Sequence, residues 1–158
     1  MKYLLSIVAV LLTLTVSSGQ ETKSDATTDI ASMVQDRKFE FAAESAHPMR
    51  GRTIFLSPGY LLEVRPDSVV SYLPYYGRAY QATMDPSKSG IKFTSTDFEY
   101  IEKPGKKSGW QIQIRAKDVP QSPQLHLSIH ENGQATLRVT SIDRESISFH
   151  GYIRRKAN

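Results

Sequence analysis

Residues 124–140 read Gln124-Leu125-His126-Leu127-Ser128-Ile129-His130-Glu131-Asn132-Gly133-Gln134-Ala135-Thr136-Leu137-Arg138-Val139-Thr140, and this stretch decides the fold. Leu125, Leu127 and Ile129 alternate with polar residues, as do Ala135, Leu137 and Val139, so each half reads as a strand with one apolar face. The turn between them sets the pairing. A two-residue Asn132-Gly133 turn would put Leu127 opposite Arg138 and divide the apolar residues between two faces, which a half-buried sheet excludes. A three-residue Glu131-Asn132-Gly133 loop, with Gly133 left-handed in a bulge, puts Ile129 opposite Ala135 and Leu127 opposite Leu137. The faces then agree. Carried into the last strand, the same rule predicts Val139 opposite Ile147, Leu137 opposite Phe149 and Ala135 opposite Gly151.

Working outward, the period of two runs back to Phe39. Trp110, Ile112, Ile114 and Ala116 alternate with Gln111, Gln113, Arg115 and Lys117, another half-buried strand. Ile91 and Phe93 fall on odd positions but Phe98 and Tyr100 on even ones, so the chain changes face near Ser95 to Asp97, which calls for a bulge or sharp bend. Pro66-Asp67-Ser68 turns Tyr60–Val64 into Val69–Leu73. Ser57-Pro58-Gly59 joins Thr53–Leu56 to that hairpin, and Pro48 to Gly51 ends the strand opening Phe39-Glu40-Phe41. The fold class is all-β, an antiparallel meander of about ten strands. Curling such a ribbon into a barrel removes its exposed edges; a two-sheet sandwich is the alternative.

Ahead of the strands, Ile30, Met33, Val34 and Arg37 recur at helical spacing behind Thr28 or Asp29 as cap, predicting one short N-terminal helix that plugs the sheet. Further upstream, Lys2, the apolar run Leu4 to Val16 and Ser17-Ser18-Gly19 have the charged start, apolar centre and small-residue exit of a signal peptide over residues 1–19. The run is shorter than the roughly 20 apolar residues that a bilayer requires. Residues 20–28 read as a flexible leader and 29–158 as a single β domain. The mature chain is therefore expected in the periplasm or outside the cell, with no membrane span after signal removal.

The 158 residues contain no cysteine, so burial must hold the fold and neither a thiolate metal site nor a cysteine nucleophile is available. The formal charge of +4 is spread over Lys103, Lys106, Lys107, the Arg154-Arg155-Lys156 tail and scattered strand positions. Nucleic-acid binders gather such charge on one stripe, so no nucleic acid is expected as partner.

The histidines do not converge in this register. His126 and His130 are four apart on one strand, roughly 13 Å between Cβ atoms, too far for one ion bound at about 2.1 Å from each ligand nitrogen. His150 lies two strands from Ser128, out of the hydrogen-bond contact that a nucleophile and its base require. Asp97 and Glu99 sit beside a turn with no cleft marked around them. No phosphate-cradling glycine loop, zinc-hydrolase pair or dinucleotide fingerprint occurs. Hence no catalytic residue, metal or cofactor is expected.

One segment does concentrate recognition chemistry: Tyr72-Leu73-Pro74-Tyr75-Tyr76-Gly77-Arg78-Ala79-Tyr80. Flat amphipathic rings beside a forked cation suit a small apolar or anionic ligand. Tyr72, Tyr75, Tyr76, Arg78 and Tyr80, with Trp110, are the candidate ligand-binding residues. The competing reading is a sheet corner whose tyrosines bury their rings and bond backbone, with Arg78 stacked on one of them.

These residues also carry a resemblance. The tyrosine segment, the Tyr60 strand, Gly90-Ile91-Lys92-Phe93 with Phe98-Glu99-Tyr100, the Trp110 strand, Asn132-Gly133 and Arg144 through Gly151 resemble a family of small exported bacterial proteins, domain of unknown function 4251, over about Phe39 to Ile153. The resemblance implies export, a Gram-negative envelope setting and one compact β domain; it implies no activity. The expected role is a non-enzymatic exported binding module whose partner is a small apolar or anionic ligand; the alternative is a structural or protein-interaction component of the cell envelope, with an envelope protein as partner.

Overall fold

A computed structural model describes residues 29–80, 90–105 and 108–156; the expected signal peptide and leader lie outside the described residues. A short helix, α1 (29–35), precedes β1 (Phe39–Pro48), β2 (Ile54–Phe55), β3 (Leu61–Val64), β4 (Val69–Leu73) and β5 (Ile91–Ser95). There follow β6 (Phe98–Pro104), β7 (Trp110–Ala116), β8 (Gln124–Ile129), β9 (Gln134–Thr140) and β10 (Ile147–Arg154). All belong to one antiparallel sheet in the order β5-β4-β3-β1-β10-β9-β8-β7-β6, with β2 paired to the end of β1. The sheet curls into a nearly closed barrel, so the sandwich alternative does not hold.

The predicted hairpin register is the observed one. Leu127 faces Leu137, Ile129 faces Ala135 and Gly133 is left-handed at φ 81°. Val139 faces Ile147, Leu137 faces Phe149 and Ala135 faces Gly151. Local alternation and loop length suffice for these three strands because each pairs with its chain neighbour.

The closure is not a neighbour pairing. β10 returns to β1 over Glu40↔Arg154 to Pro48↔Ile147, with a bulge between Ala43 and Ser45. The ribbon is interrupted instead between β5 and β6, which are consecutive in sequence yet pair with β4 and β7 respectively. The change of face at Ser95 to Asp97 is this corner. Asp118, from the β7–β8 connection, holds it: its carboxylate accepts from the Ser95 hydroxyl and from the Thr96 and Asp97 N–H groups at 2.9 and 3.2 Å. Those hydrogen bonds, Ser95 foremost, hold its pKa down to about 2.

Inside, Phe39, Phe41, Leu62, Leu73, Ile112, Ile114, Leu125, Leu127, Leu137, Ile147 and Phe149 fill the barrel. Each such side chain stabilises the fold by roughly 1.5–3 kcal/mol when withdrawn from water. Ile30, Met33 and Val34 of α1 are buried against the same core, so the helix is a plug as expected. Arg37 belongs to the cap rather than to the helical stripe. It is left-handed at φ 53°, and Lys38 N–H bonds the Met33 carbonyl at 3.0 Å while Arg37 N–H bonds that of Val34 at 3.0 Å, a Schellman ending. Its guanidinium then lies 4.4 Å from the Tyr100 ring centroid.

On the outer face Glu40 and Glu63 stand directly opposite one another and are both buried. Like charges so placed repel. Arg154 meets Glu40 at 3.1 Å, while Arg65 and Lys156 meet Glu63 at 2.6 and 2.9 Å. Burial pushes the Glu63 pKa up, but its hydrogen bonds from Arg65 and Lys156 outweigh that and hold it below the ordinary value.

Candidate functional site

The tyrosine segment leaves the end of β4 and is stitched to the connection between β9 and β10. Ala79 and Arg144 form an antiparallel bridge, Tyr80 N–H donates to the Asp143 carbonyl at 2.7 Å and Glu145 N–H to that of Arg78 at 3.0 Å. Tyr75 bolts the joint. Its hydroxyl lies 2.8 Å from the Arg78 carbonyl oxygen and 3.0 Å from that of Glu145, sharing one proton between them. The Arg144 guanidinium sits 4.9 Å from its ring centroid. Burial, the largest influence, pushes the Tyr75 hydroxyl pKa up, with the Arg144 charge acting against it.

This joint forms one wall of a cleft of about 610 Å³. A second wall is the edge of β5 from Gly90 to Thr94 and the third is the β7–β8 connection around Val119 and Pro120. Ile91, Val139 and Ile147 give it an apolar floor. Arg144 is the cleft's half-buried cation, its side chain only 15% exposed, while Lys92 on the β5 edge is exposed. Its Nε and Nη2 donate to Asp143 at 3.0 and 2.8 Å, and Nη1 to the Gly90 carbonyl at 3.3 Å. Asp143 is half-buried, which pushes its pKa up, but hydrogen bonds from Arg144 and Ser141 hold it below the ordinary carboxylate value.

Asp143 is therefore committed to Arg144 and Ser141, and Asp118 to the corner. The cleft offers apolar surface, one guanidinium and a strand edge. Among the described residues no three His, Asp or Glu side chains gather as a metal-binding set.

A second hollow of about 660 Å³ lies at the other end, among Lys38, Glu63, Arg65, Asp67, Arg155 and Lys156. Its charges largely satisfy one another, Arg65 and Lys156 on Glu63 and Arg155 on Asp29.

The model of the domain of unknown function DUF4251 matches residues 21–153. The chain belongs to the DUF4251 family. A crystal structure of a DUF4251 family protein from Bacteroides eggerthii DSM 20697 is similar with a TM-score of 0.61, covering 83% of this chain and 88% of that one at 12% identity. At that identity the likeness shows the fold alone. No curated protein matches.

In this DUF4251 chain the six candidate residues do not form one cluster. Tyr75 lines the cleft. Tyr76 is half-buried and packs against the core, while Arg78 is exposed and serves the joint through its carbonyl group. Tyr80 is 68% exposed. Tyr72 lies on the outer face, stacked on Tyr60 with ring centroids 5.9 Å apart and the Lys92 ammonium 4.8 Å above its ring. Trp110, opposite Ile129 on β7, packs against the core six strands from Tyr72 in the sheet order. The arginine that stacks on the corner tyrosine is Arg144 rather than Arg78.

Sequence reasoning did not single out Arg144, Asp143 or Asp118. Arg144 and Asp118 act on groups far along the chain, Gly90 and Ser95, and locally Asp143-Arg144-Glu145 looks like any charged turn. It also missed His47, whose ring lies tilted against that of His150 with centroids 4.1 Å apart and whose nitrogens meet the Ser45 and Thr53 hydroxyls at 3.0 and 3.1 Å. That pair exists only because β1 lies beside β10.

Proposed function

We propose that this DUF4251 chain is an exported, non-enzymatic binding module whose ligand lies in the cleft between the β5 edge, Val119 and the Tyr75–Arg144 joint. The observation that carries the reading is a hollow of about 610 Å³ combining an apolar floor with a nearly buried guanidinium. Ligand sites run from about 300 to 1,000 Å³ and pair apolar lining with a few placed polar groups. The N-terminal charged and apolar stretch supports export to the periplasm or cell exterior. The ligand is small, apolar over most of its surface, with an acceptor group toward Arg144.

The test is unbiased native mass spectrometry of the chain purified from its own cells, beside two variants. Val119→Trp places an indole in the cleft, and Ile101→Ser alters an exposed side chain on β6. The expected result is a bound mass retained by Ile101→Ser and lost from Val119→Trp. A mass that Val119→Trp retains, or no bound mass at all, refutes the assignment.

A further inference from the structure

Hydrogen-bond parity shows which peptide groups the cleft wall presents. In an antiparallel ladder, directly paired residues alternate between bonded and non-bonded. Arg65 N–H bonds the Ser68 carbonyl at 2.9 Å, so the bonded pairs of β3 and β4 continue as Glu63–Val70 and Leu61–Tyr72. Val69, Ser71 and Leu73 must then turn their peptide groups to β5, onto Ser95, Phe93 and Ile91. The Leu73 carbonyl agrees, lying 2.8 Å from where a Cβ on Gly90 would stand. The peptide groups of Gly90, Lys92, Thr94 and Thr96 therefore point away from β4, and Gly90, Lys92 and Thr94 line the cleft.

The protein itself closes both ends of this row. The Gly90 carbonyl accepts from Arg144 at 3.3 Å, and Thr96 N–H donates to Asp118 at 2.9 Å. Between them the N–H and C=O groups of Lys92 and Thr94 have no partner among the described residues. The other edge of the sheet is treated differently. By the same parity, from Gly105 N–H to the Gly109 carbonyl and Lys117 N–H to that of Asp97, both 2.8 Å, the outward residues of β6 are Phe98, Tyr100, Glu102 and Pro104. Proline with no donor and a charged neighbourhood blunt an edge against pairing. No proline interrupts Gly90 to Thr94, and that edge lies in a cleft with an apolar floor.

We propose that the ligand is a short peptide in extended form that adds to β5 as a strand, its backbone pairing with Lys92 and Thr94. This deepens the cleft reading and rests on it. Gly90 to Thr94 spans roughly 13 Å at about 3.3 Å per residue, so the bound stretch is about four residues long. Main-chain hydrogen bonds supply affinity, as in other strand additions, and the floor selects alternate side chains.

The experiment probes the purified chain with a bead library of N-acetylated hexapeptide amides, then resynthesises the captured sequences with N-methyl groups on one alternate set of residues or the other. The expected result is capture, with about tenfold weaker binding when the set facing β5 is methylated and little change for the other set. Thr94→Pro gives the same loss from the protein side, since it removes an edge donor that β4 does not use; urea denaturation checks its fold. Capture of these capped peptides points to a segment within a longer chain. Capture only by uncapped peptides with free carboxylates points to free peptides, and both results support the proposal. Capture indifferent to N-methylation overturns the strand pairing. If no peptide binds while a mass is still displaced by Val119→Trp, the peptide proposal falls and the cleft reading stands; if neither occurs, both fall.

Discussion

Gly151→Ala tests the closure of the barrel. Gly151 faces Ala43 across the β1–β10 ladder, and a Cβ there would lie 1.9 Å from the Ala42 carbonyl oxygen and 3.1 Å from the Ala43 Cα. The shortest comfortable carbon–oxygen approach is about 3.3 Å, so the strands must part by roughly 1.4 Å. Two or three ladder hydrogen bonds fail at that separation, at about 1 kcal/mol each, and the overpacking adds about 1–3 kcal/mol. The expected loss is about 3–6 kcal/mol, a large part of a stability of roughly 5–15 kcal/mol. In urea denaturation followed by far-ultraviolet circular dichroism, it lowers the midpoint by about 1.5–4 M for a slope near 1.5–2 kcal/mol/M. The sign decides the matter. A strand glycine free of this clash gains about 0.5–1 kcal/mol on becoming alanine, so an unchanged or raised midpoint would refute the observed approach of β10 to β1.

Two pH effects follow from the same structure. Asp118 has its pKa depressed from 3.8 to about 2, so its support of the corner is full above pH 4 and fades as pH falls toward 2. Asp118→Asn should flatten the fall of the urea midpoint over that window, and an unaltered slope would show that another group carries it. His47 has its pKa lowered from 6.5, first by burial and then by the neighbouring His150 charge. Its stabilising effect is therefore present above pH 6.5 and lost as pH falls through its folded value. In a proton NMR titration, His150→Ala should raise the His47 midpoint toward 6.5; no movement would mean that the two rings do not interact electrostatically.

How much was legible depends on how local each cause is. The β8–β9–β10 register could be read because the faces of adjacent strands and a three-residue loop leave one consistent pairing. The slip near Ser95 was legible as a change of parity, but not as the seam of the barrel. A corner whose tyrosines bond backbone was legible, since Pro74 and Gly77 mark it; that Tyr75 is the one was not. Its partners were not: Glu145 is 70 residues away. Trp110 and Tyr72 were grouped with it by composition, and the sheet order separates them.

From its alternation and turns alone, the chain specifies ten strands, which side of each is buried, and a helix short enough to plug one end. Those properties follow from side-chain period and backbone preference within a few residues. Which strand lies beside β1, where the ribbon stays open, and that Arg144 and Asp118 bracket Lys92 and Thr94 are decided only in three dimensions. An apolar face carries no address: any strand with a matching face can neighbour it, and the choice is made by closing the whole sheet around one filled core.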